Sequence, residues 1–203
     1  MAEVSIVNYG IGNTGSILNM LRKLRVAAEL VATPAAVSEA KRLVLPGIGA
    51  FDACMAALQR SGLRDAVLEY AAGGRPLLGI CVGMQMLTLG SEEGHVPGLG
   101  LIRAHTKRFG AHAGLRIPHM GWDRVRWLVP DHPLARNMPD DSRFYFVHSF
   151  RVTCESAANS LALCTYGEDF AAAIGNGNIA GVQFHPEKSH RFGLALLKNF
   201  ASA

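Results

Sequence analysis

The chain has 203 residues, is 49% hydrophobic and 18% charged, and carries a net charge of +4. That length suits one domain over residues 1–203, and the cysteines at 54, 81, 154 and 164 include no CxxC pair, which excludes the usual structural zinc patterns. No stretch approaches the roughly 18 apolar residues of a membrane helix, Glu3 stands where a secretory leader would be basic, and the basic residues fall in short clusters (Arg22-Lys23-Arg25, Lys107-Arg108, Arg124 and Arg126), so a cytoplasmic protein without membrane or nucleic-acid partners is expected.

In chain order, VSIVNY (4–9) reads as a buried strand, and 14–25 as a helix with Ile17, Leu18, Leu21 and Leu24 on one face. AELVA (28–32) and RLVLP (42–46) follow as strands, and 51–72 holds one or two helices broken near Ser61-Gly62. PLLGI (76–80) is a fourth strand, and a helix starts over 82–90. Continuous apolar strands alternating with helices imply a parallel sheet covered on both faces. The second half changes character, with strands expected near 101–109, 143–148, 158–166, 169–174 and 178–184, a turn at Asn176-Gly177-Asn178, and a last helix over 188–201 carrying Phe192, Leu194, Leu196, Leu197 and Phe200. The expected whole is an α/β domain, a mostly parallel sheet with helices on both faces, extended by antiparallel strands.

Three segments carry chemistry. Gly79-Ile80-Cys81-Val82-Gly83 puts a thiol between glycines at a strand-to-helix junction, the thiol form of a nucleophile elbow, in a strained and exposed position. A helix N-terminus supplies only about 0.3–1 kcal/mol toward an anion, so an imidazole is expected to complete the activation. Val182-Gln183-Phe184-His185-Pro186-Glu187 ends a strand; residues two apart share a side in extended chain, and Pro186 holds His185 extended. His185 and Glu187 are then both at the carboxyl end of the sheet, where open α/β folds place their sites, with the carboxylate orienting the ring toward Cys81. Pro46-Gly47-Ile48-Gly49 ends another strand, and its peptides, with the Val82 N–H, are candidate oxyanion donors. The other three cysteines read as buried packing.

Gly-Ile-Cys-Val-Gly-Met-Gln, Phe-His-Pro-Glu and Pro-Gly-Ile-Gly together resemble the signature segments of the class I glutamine amidotransferases, the Cys-His-Glu glutaminases. More narrowly, Asn-Tyr-Gly-Ile-Gly-Asn (8–13), Ser-Glu-Glu-Gly (91–94), Pro-His-Met-Gly-Trp-Asp (118–123), Tyr-Phe-Val-His-Ser (145–149) and His-Pro-Glu-Lys-Ser (185–189) resemble the family of glutaminase subunits of imidazole glycerol phosphate synthase, from the first strand to the last helix. Asn8 and Asp123 depart from that family's Asp and Asn.

The resemblance implies catalysis by Cys81, His185 and Glu187, and an oxyanion held by Gly47, Ile48, Gly49 and Val82. It also implies a glutamine head held by Gln85, Glu93, His148, Ser149 and Phe150, with Glu93 pairing with the α-ammonium. No cofactor or metal is called for. The implied partner is a (βα)8-barrel cyclase subunit in a heterodimer, faced by Asn13, Trp122 and Lys188, receiving ammonia for histidine biosynthesis and switching the glutaminase on.

Three other readings compete, one of them a non-catalytic regulatory relative, which would lack the Cys or the His that this chain has at 81 and 185. Gly10, Gly12 and Gly15 match the G-x-G-x-x-G dinucleotide fingerprint literally, but the acid expected at the end of the second strand is absent, because Glu29 stands at its start. Another glutaminase of the same class, such as one serving pyridoxal phosphate synthesis, would carry Gly-Gly-Glu-Ser-Thr where this chain has Pro46-Gly47-Ile48-Gly49.

Overall fold

A computed structural model describes residues 2–110 and 115–203. In chain order the elements are β1 (Val4–Val7), α1 (Thr14–Lys23), β2 (Ala28–Val31), α2 (Pro34–Glu39), β3 (Leu43–Gly47), α3 (Phe51–Arg60), α4 (Arg64–Ala72), β4 (Leu77–Cys81), α5 (Val82–Met86), β5 (Ala104–Arg108), β6 (His119–Arg124), β7 (Arg126–Trp127), β8 (Arg143–His148), β9 (Phe150–Cys154), β10 (Ser160–Tyr166), β11 (Glu168–Asn176), β12 (Ile179–Val182) and α6 (His190–Ala201).

The main sheet runs β2-β1-β3-β4-β12-β11-β10-β7, with β9 pairing both β11 and β5. Its first five strands are parallel, and antiparallel pairing begins at β11. β1, β3, β4 and β12 are buried along their whole length, as near-continuous apolar sequence in a doubly covered sheet requires. The helices read from periodicity pack as expected: Ile17 and Leu21 of α1, and Phe192, Leu196, Leu197 and Phe200 of α6, are buried.

Several expectations need correction. β2 is not a covered strand but the sheet's edge, with Glu29 and Leu30 exposed. The helix expected over 82–90 stops at Met86, because the chain from Leu87 turns back and the Leu87 carbonyl accepts the N–H groups of Leu101 and Ile102. α6 starts at His190, after a single 3-10 turn over Pro186–Lys188. The elements α2, β6, β7 and β9 carry no expectation from the sequence. β6 and β8 form a separate two-stranded ribbon in register from His119↔His148 to Arg124↔Arg143. Hydrogen bonds from the His185 N–H to the Tyr145 carbonyl, and from the Tyr145 N–H to Ser189 Oγ, tie that ribbon to the end of β12. Among the described residues, no helix is long and apolar enough to cross a membrane.

Candidate active site

The parallel strands deliver their carboxyl ends side by side. Gly47 of β3 is paired with Cys81 of β4, and Val182 of β12 with Ile80. β4 passes into α5 without an intervening residue, so Cys81 is both the last residue of the strand and the N-cap of the helix. Its backbone sits at φ 56°, ψ −115°, outside the allowed regions for a residue with a Cβ, and such outliers concentrate at active sites.

The flanking glycines are explained by crowding. A Cβ on Gly83 would lie 2.0 Å from the Leu45 carbonyl oxygen, and one on Gly79 would lie 2.7 Å from the Gly83 oxygen. The elbow therefore has the form the sequence predicts. Its exposure does not: Cys81 is 3% exposed, on the floor of a cleft of about 450 Å³.

His185 ends the segment after β12 and reaches the same cleft. The imidazole and the Cys81 thiol line the same cleft, near enough for the sulfur to act on the ring's titration, and the ring Nδ1 lies 2.7 Å from Glu187 Oε1. Burial alone would pull its pKa down. The hydrogen bonds and charges of Cys81 and Glu187 outweigh that and carry it up to about 9. Burial pushes the Glu187 carboxyl up, but the bonds and charge from His185 and the Asn13 amide prevail and hold it below the usual carboxylate range.

Asn13, a candidate for the partner face, is half-buried and has a contact that the sequence reading does not include: its Nδ2 donates to the same Glu187 Oε1 at 2.9 Å. That also explains why Asn13, the N-cap of α1, makes no capping bond to its own helix. Trp122 and Lys188 are exposed as expected: Trp122 stacks on His190 with ring centroids 5.2 Å apart, and Lys188 lies at the cleft over the Tyr145 ring.

Of the four oxyanion candidates, Ile48, Gly49 and Val82 line the cleft. Gly47 does not; it is buried in β3, where a Cβ would lie 2.5 Å from the Gly83 nitrogen, so it is glycine for close packing of β3 on the elbow. The loop is fastened from behind. Tyr9 donates its hydroxyl to the Pro46 carbonyl at 2.6 Å, and the Cys54 thiol donates to the Ile48 carbonyl at 3.2 Å. Burial raises the Tyr9 phenol and the Cys54 thiol, which keeps both protonated as donors. Gly49 has φ +80°, which its lack of a Cβ permits.

The candidate substrate residues Gln85, Glu93, His148, Ser149 and Phe150 all line the cleft. Some of their polar groups are already engaged. Gln85 Nε2 donates to Gln183 Oε1 at 3.0 Å and to the Phe150 carbonyl at 3.4 Å, leaving its Oε1 facing no protein donor among the described residues. Glu93 Oε2 accepts the Phe51 N–H at 2.9 Å, at the start of α3. The Phe150 carbonyl is taken by His148 Nδ1 as well as Gln85, so it is spent within the fold. Gln183, which the sequence reading passes over, donates its Nε2 to Cys81 Sγ at 3.8 Å. Its only sequence signal is its place two residues before His185 on the same strand end.

Of the rival fingerprint's glycines, one is placed by packing. Gly12 packs on β3, where a Cβ would meet the Pro46 side chain at 2.9 Å, and Gly15 stands inside α1 with open space around it.

Comparison with known proteins gives the family. Residues 5–203 match the family model described as glutamine amidotransferase class-I. The chain is 46% identical over 198 residues to imidazole glycerol phosphate synthase subunit HisH 2 of Methanococcus maripaludis, covering 97% of this chain and 98% of that one. It is 46% identical over 209 residues to the HisH subunit of Nitrosospira multiformis, covering 98% and 97%. Among solved structures, PurLQS from Thermotoga maritima matches with a TM-score of 0.76 at 18% identity over 98% of this chain and 97% of that one, a likeness of fold. The chain belongs to the class I glutamine amidotransferases and, within them, to the family of imidazole glycerol phosphate synthase HisH subunits.

Proposed function

We propose that the chain hydrolyses glutamine to glutamate and ammonia through a cysteinyl thioester. The ammonia passes to a (βα)8-barrel cyclase subunit, bound as a heterodimer in the cytoplasm, that makes imidazole glycerol phosphate for histidine biosynthesis. The observation that carries the reading is that Cys81 and His185, a hundred residues apart in the chain, line one cleft, with Glu187 Oε1 2.7 Å behind the imidazole.

In the first step the Cys81 sulfur, as thiolate, attacks the side-chain amide carbon of glutamine. The carbonyl electron pair moves to oxygen, which is met by the Val82 N–H and a peptide N–H of the Ile48-Gly49 loop. The C–N bond then breaks and the leaving nitrogen takes the proton of the His185 imidazolium, giving ammonia and the thioester. In the second step the now neutral His185 takes a proton from water as its oxygen attacks the thioester. Collapse breaks the C–S bond, frees glutamic acid, which ionises to solvent, and restores the thiolate–imidazolium pair. Glu187 keeps the Nδ1 proton of His185 in place, so that the other ring nitrogen faces sulfur. Glu93 meets the α-ammonium of the substrate, and Gln85 Oε1 and the Ser149 backbone hold its head.

The outward face of β6 suits the partner. Met120 is 60% exposed and Trp122 41% exposed, while the intervening side of the strand is turned inward, and aromatic residues and Met are enriched at interfaces. Lys188 lines the cleft and lies over the Tyr145 ring, which Trp122 also meets.

The test is glutamate release with and without the cyclase subunit and its nucleotide ligand. Wild-type chain should be slow alone and stimulated by the pair. Cys81→Ala should be inactive while still binding the cyclase. Turnover by Cys81→Ala at the wild-type rate would overturn the reading.

A further inference from the structure

Behind the cleft lies a chain of buried polar groups that the mechanism above does not use. The ribbon register sets His119 directly opposite His148. His119 Nδ1 is 2.9 Å from His148 Nε2, His148 Nδ1 is 2.7 Å from the Phe150 carbonyl oxygen, and His119 Nε2 is 2.7 Å from Asp123 Oδ2. Gly121, at φ +147°, lies between His119 and Asp123 on β6. The chain continues into the site: the Phe150 carbonyl also accepts from Gln85 Nε2, Gln85 Nε2 donates to Gln183 Oε1, and Gln183 Nε2 donates to Cys81 Sγ.

Counting hydrogens fixes the protonation of this chain. The Phe150 carbonyl can only accept, so the His148 Nδ1 must carry a hydrogen. Burial leaves His148 neutral, pushing its pKa down to about 3, so its Nε2 is a lone pair that needs the His119 Nδ1 hydrogen. One further hydrogen must lie between His119 Nε2 and the carboxylate. Three contacts need three hydrogens, and two neutral imidazoles with an ionised carboxylate hold two. Without the third, two lone pairs would face each other at one of the contacts.

We propose that Asp123 is a positioning residue: it holds a third proton on the His119–His148 pair, and through it fixes His148 and the Phe150 carbonyl behind Gln85, Gln183 and Cys81. The pair's environment supports a single exchangeable proton. His119 is enclosed by the rings of Phe146 and Tyr166, stacked at 4.8 and 4.0 Å, and by the edges of Phe109 and Phe170. Besides Asp123, the titratable groups that face the chain among the described residues are His185 beyond His148, Tyr166 on the His119 ring, and Cys164 with Asp169 on the side of Asp123. Asp123 is 40% exposed at its side chain, so the third proton can exchange with solvent. Burial outweighs the Asp123 hydrogen bond and charge and pulls the His119 pKa below its ordinary value, so the chain is complete on the acid side and opens as pH rises.

The test combines ring protonation with kinetics on the full chain. Nitrogen-15 histidine spectra are recorded from pH 5 to 8.5, and glutamate release in the presence of the cyclase is followed over the same range. In the wild type His119 should carry hydrogens on both ring nitrogens at the acid end, or one hydrogen on Nδ1 with a protonated Asp123. That hydrogen should leave in a single step, matched by a fall in kcat. Asp123→Asn supplies the third hydrogen from its amide, so it should keep activity within about twofold and abolish that step. Asp123→Leu leaves the His119 Nε2 without a partner and should lower kcat about tenfold at all pH values, a loss of the size expected for an orphaned buried group. An Asp123→Asn profile superimposable on the wild type, or a His119 with its one hydrogen on Nε2 throughout, would overturn the proposal. The kinetic arm rests on the glutaminase reading, but ring protonation does not. Activity surviving in Cys81→Ala sinks that reading alone, and a wrong hydrogen count with an inactive Cys81→Ala sinks this one alone.

Discussion

Asn13 and His185, far apart in the chain, converge on one oxygen atom: both donate to Glu187 Oε1, at 2.9 and 2.7 Å. The loop after β1 therefore takes part in setting the imidazole, and a candidate for the partner face also sits directly behind the Glu187 carboxylate.

Removing that donor should act on turnover. In Asn13→Ala the carboxylate loses a hydrogen bond that holds its pKa down, and its grip on the ring slackens. We expect kcat for glutamate release to fall about tenfold, the usual scale for a buried charge-assisted bond, with KM near the wild-type value because Asn13 does not line the cleft. Steady-state kinetics on the isolated chain and on the complex decide the point. A side chain that serves docking alone would leave the isolated chain's rate untouched.

Stability should be bounded on both sides by histidines. The pKa of His185 rises from its ordinary 6.5 to about 9 on folding, so its contribution is complete below pH 6.5 and is lost as pH climbs through 9. The pKa of His148 falls to about 3, so its contribution is present above pH 6.5 and drains away as pH drops toward 3, with Glu187 adding to the acid side. Denaturation midpoints measured from pH 4 to 10 should form a dome. Each titrating site adds a slope of at most about 1.4 kcal/mol per pH unit, and His185→Asn should flatten the alkaline limb selectively. An alkaline limb unchanged in that variant would place its origin elsewhere.

Glycines that look alike in sequence should respond in opposite ways. Gly83→Ala forces a methyl group into the Leu45 carbonyl, and loss of soluble folded protein or a large drop in melting temperature is expected. Gly15→Ala meets open space in the first turn of α1 and should stabilise the chain by at most about 0.5 kcal/mol through helix propensity. Thermal melts of the two variants check this, and the second also bears on the rival fingerprint, which needs glycine at position 15 for close helix packing.

The sequence was most legible where one physical rule dominated. β1, β3, β4 and β12 are covered on both faces and must be apolar throughout, so their positions could be read directly. β6 alternates His119, Gly121 and Asp123 inward with Met120, Trp122 and Arg124 outward, and its polar inner face is acceptable only because His148 lies opposite. Nothing local announces that pairing. The start of α2 did carry a signal, Thr33-Pro34, and the Thr33 hydroxyl accepts the Ala36 N–H at 3.3 Å, but PAAVSE offers a single buried apolar residue, Val37, for periodicity to detect. In the site, Cys81, His185 and Glu187 were recognisable from glycine spacing and from His-Pro-Glu. The supports Tyr9, Cys54 and Gln183, and the contact between Asn13 and Glu187, depend on the order in which distant strands line up, which no short stretch encodes.

The backbone at Cys81 has a consequence for how this protein can change. A side chain held at φ 56°, ψ −115° is uncomfortable, and residues in such regions typically cost about 1–3 kcal/mol. Position 81 is thus a place where the molecule is less robust than it could be. Glycine would sit at that corner without strain but would carry no sulfur, so the side chain at position 81 trades durability for reactivity.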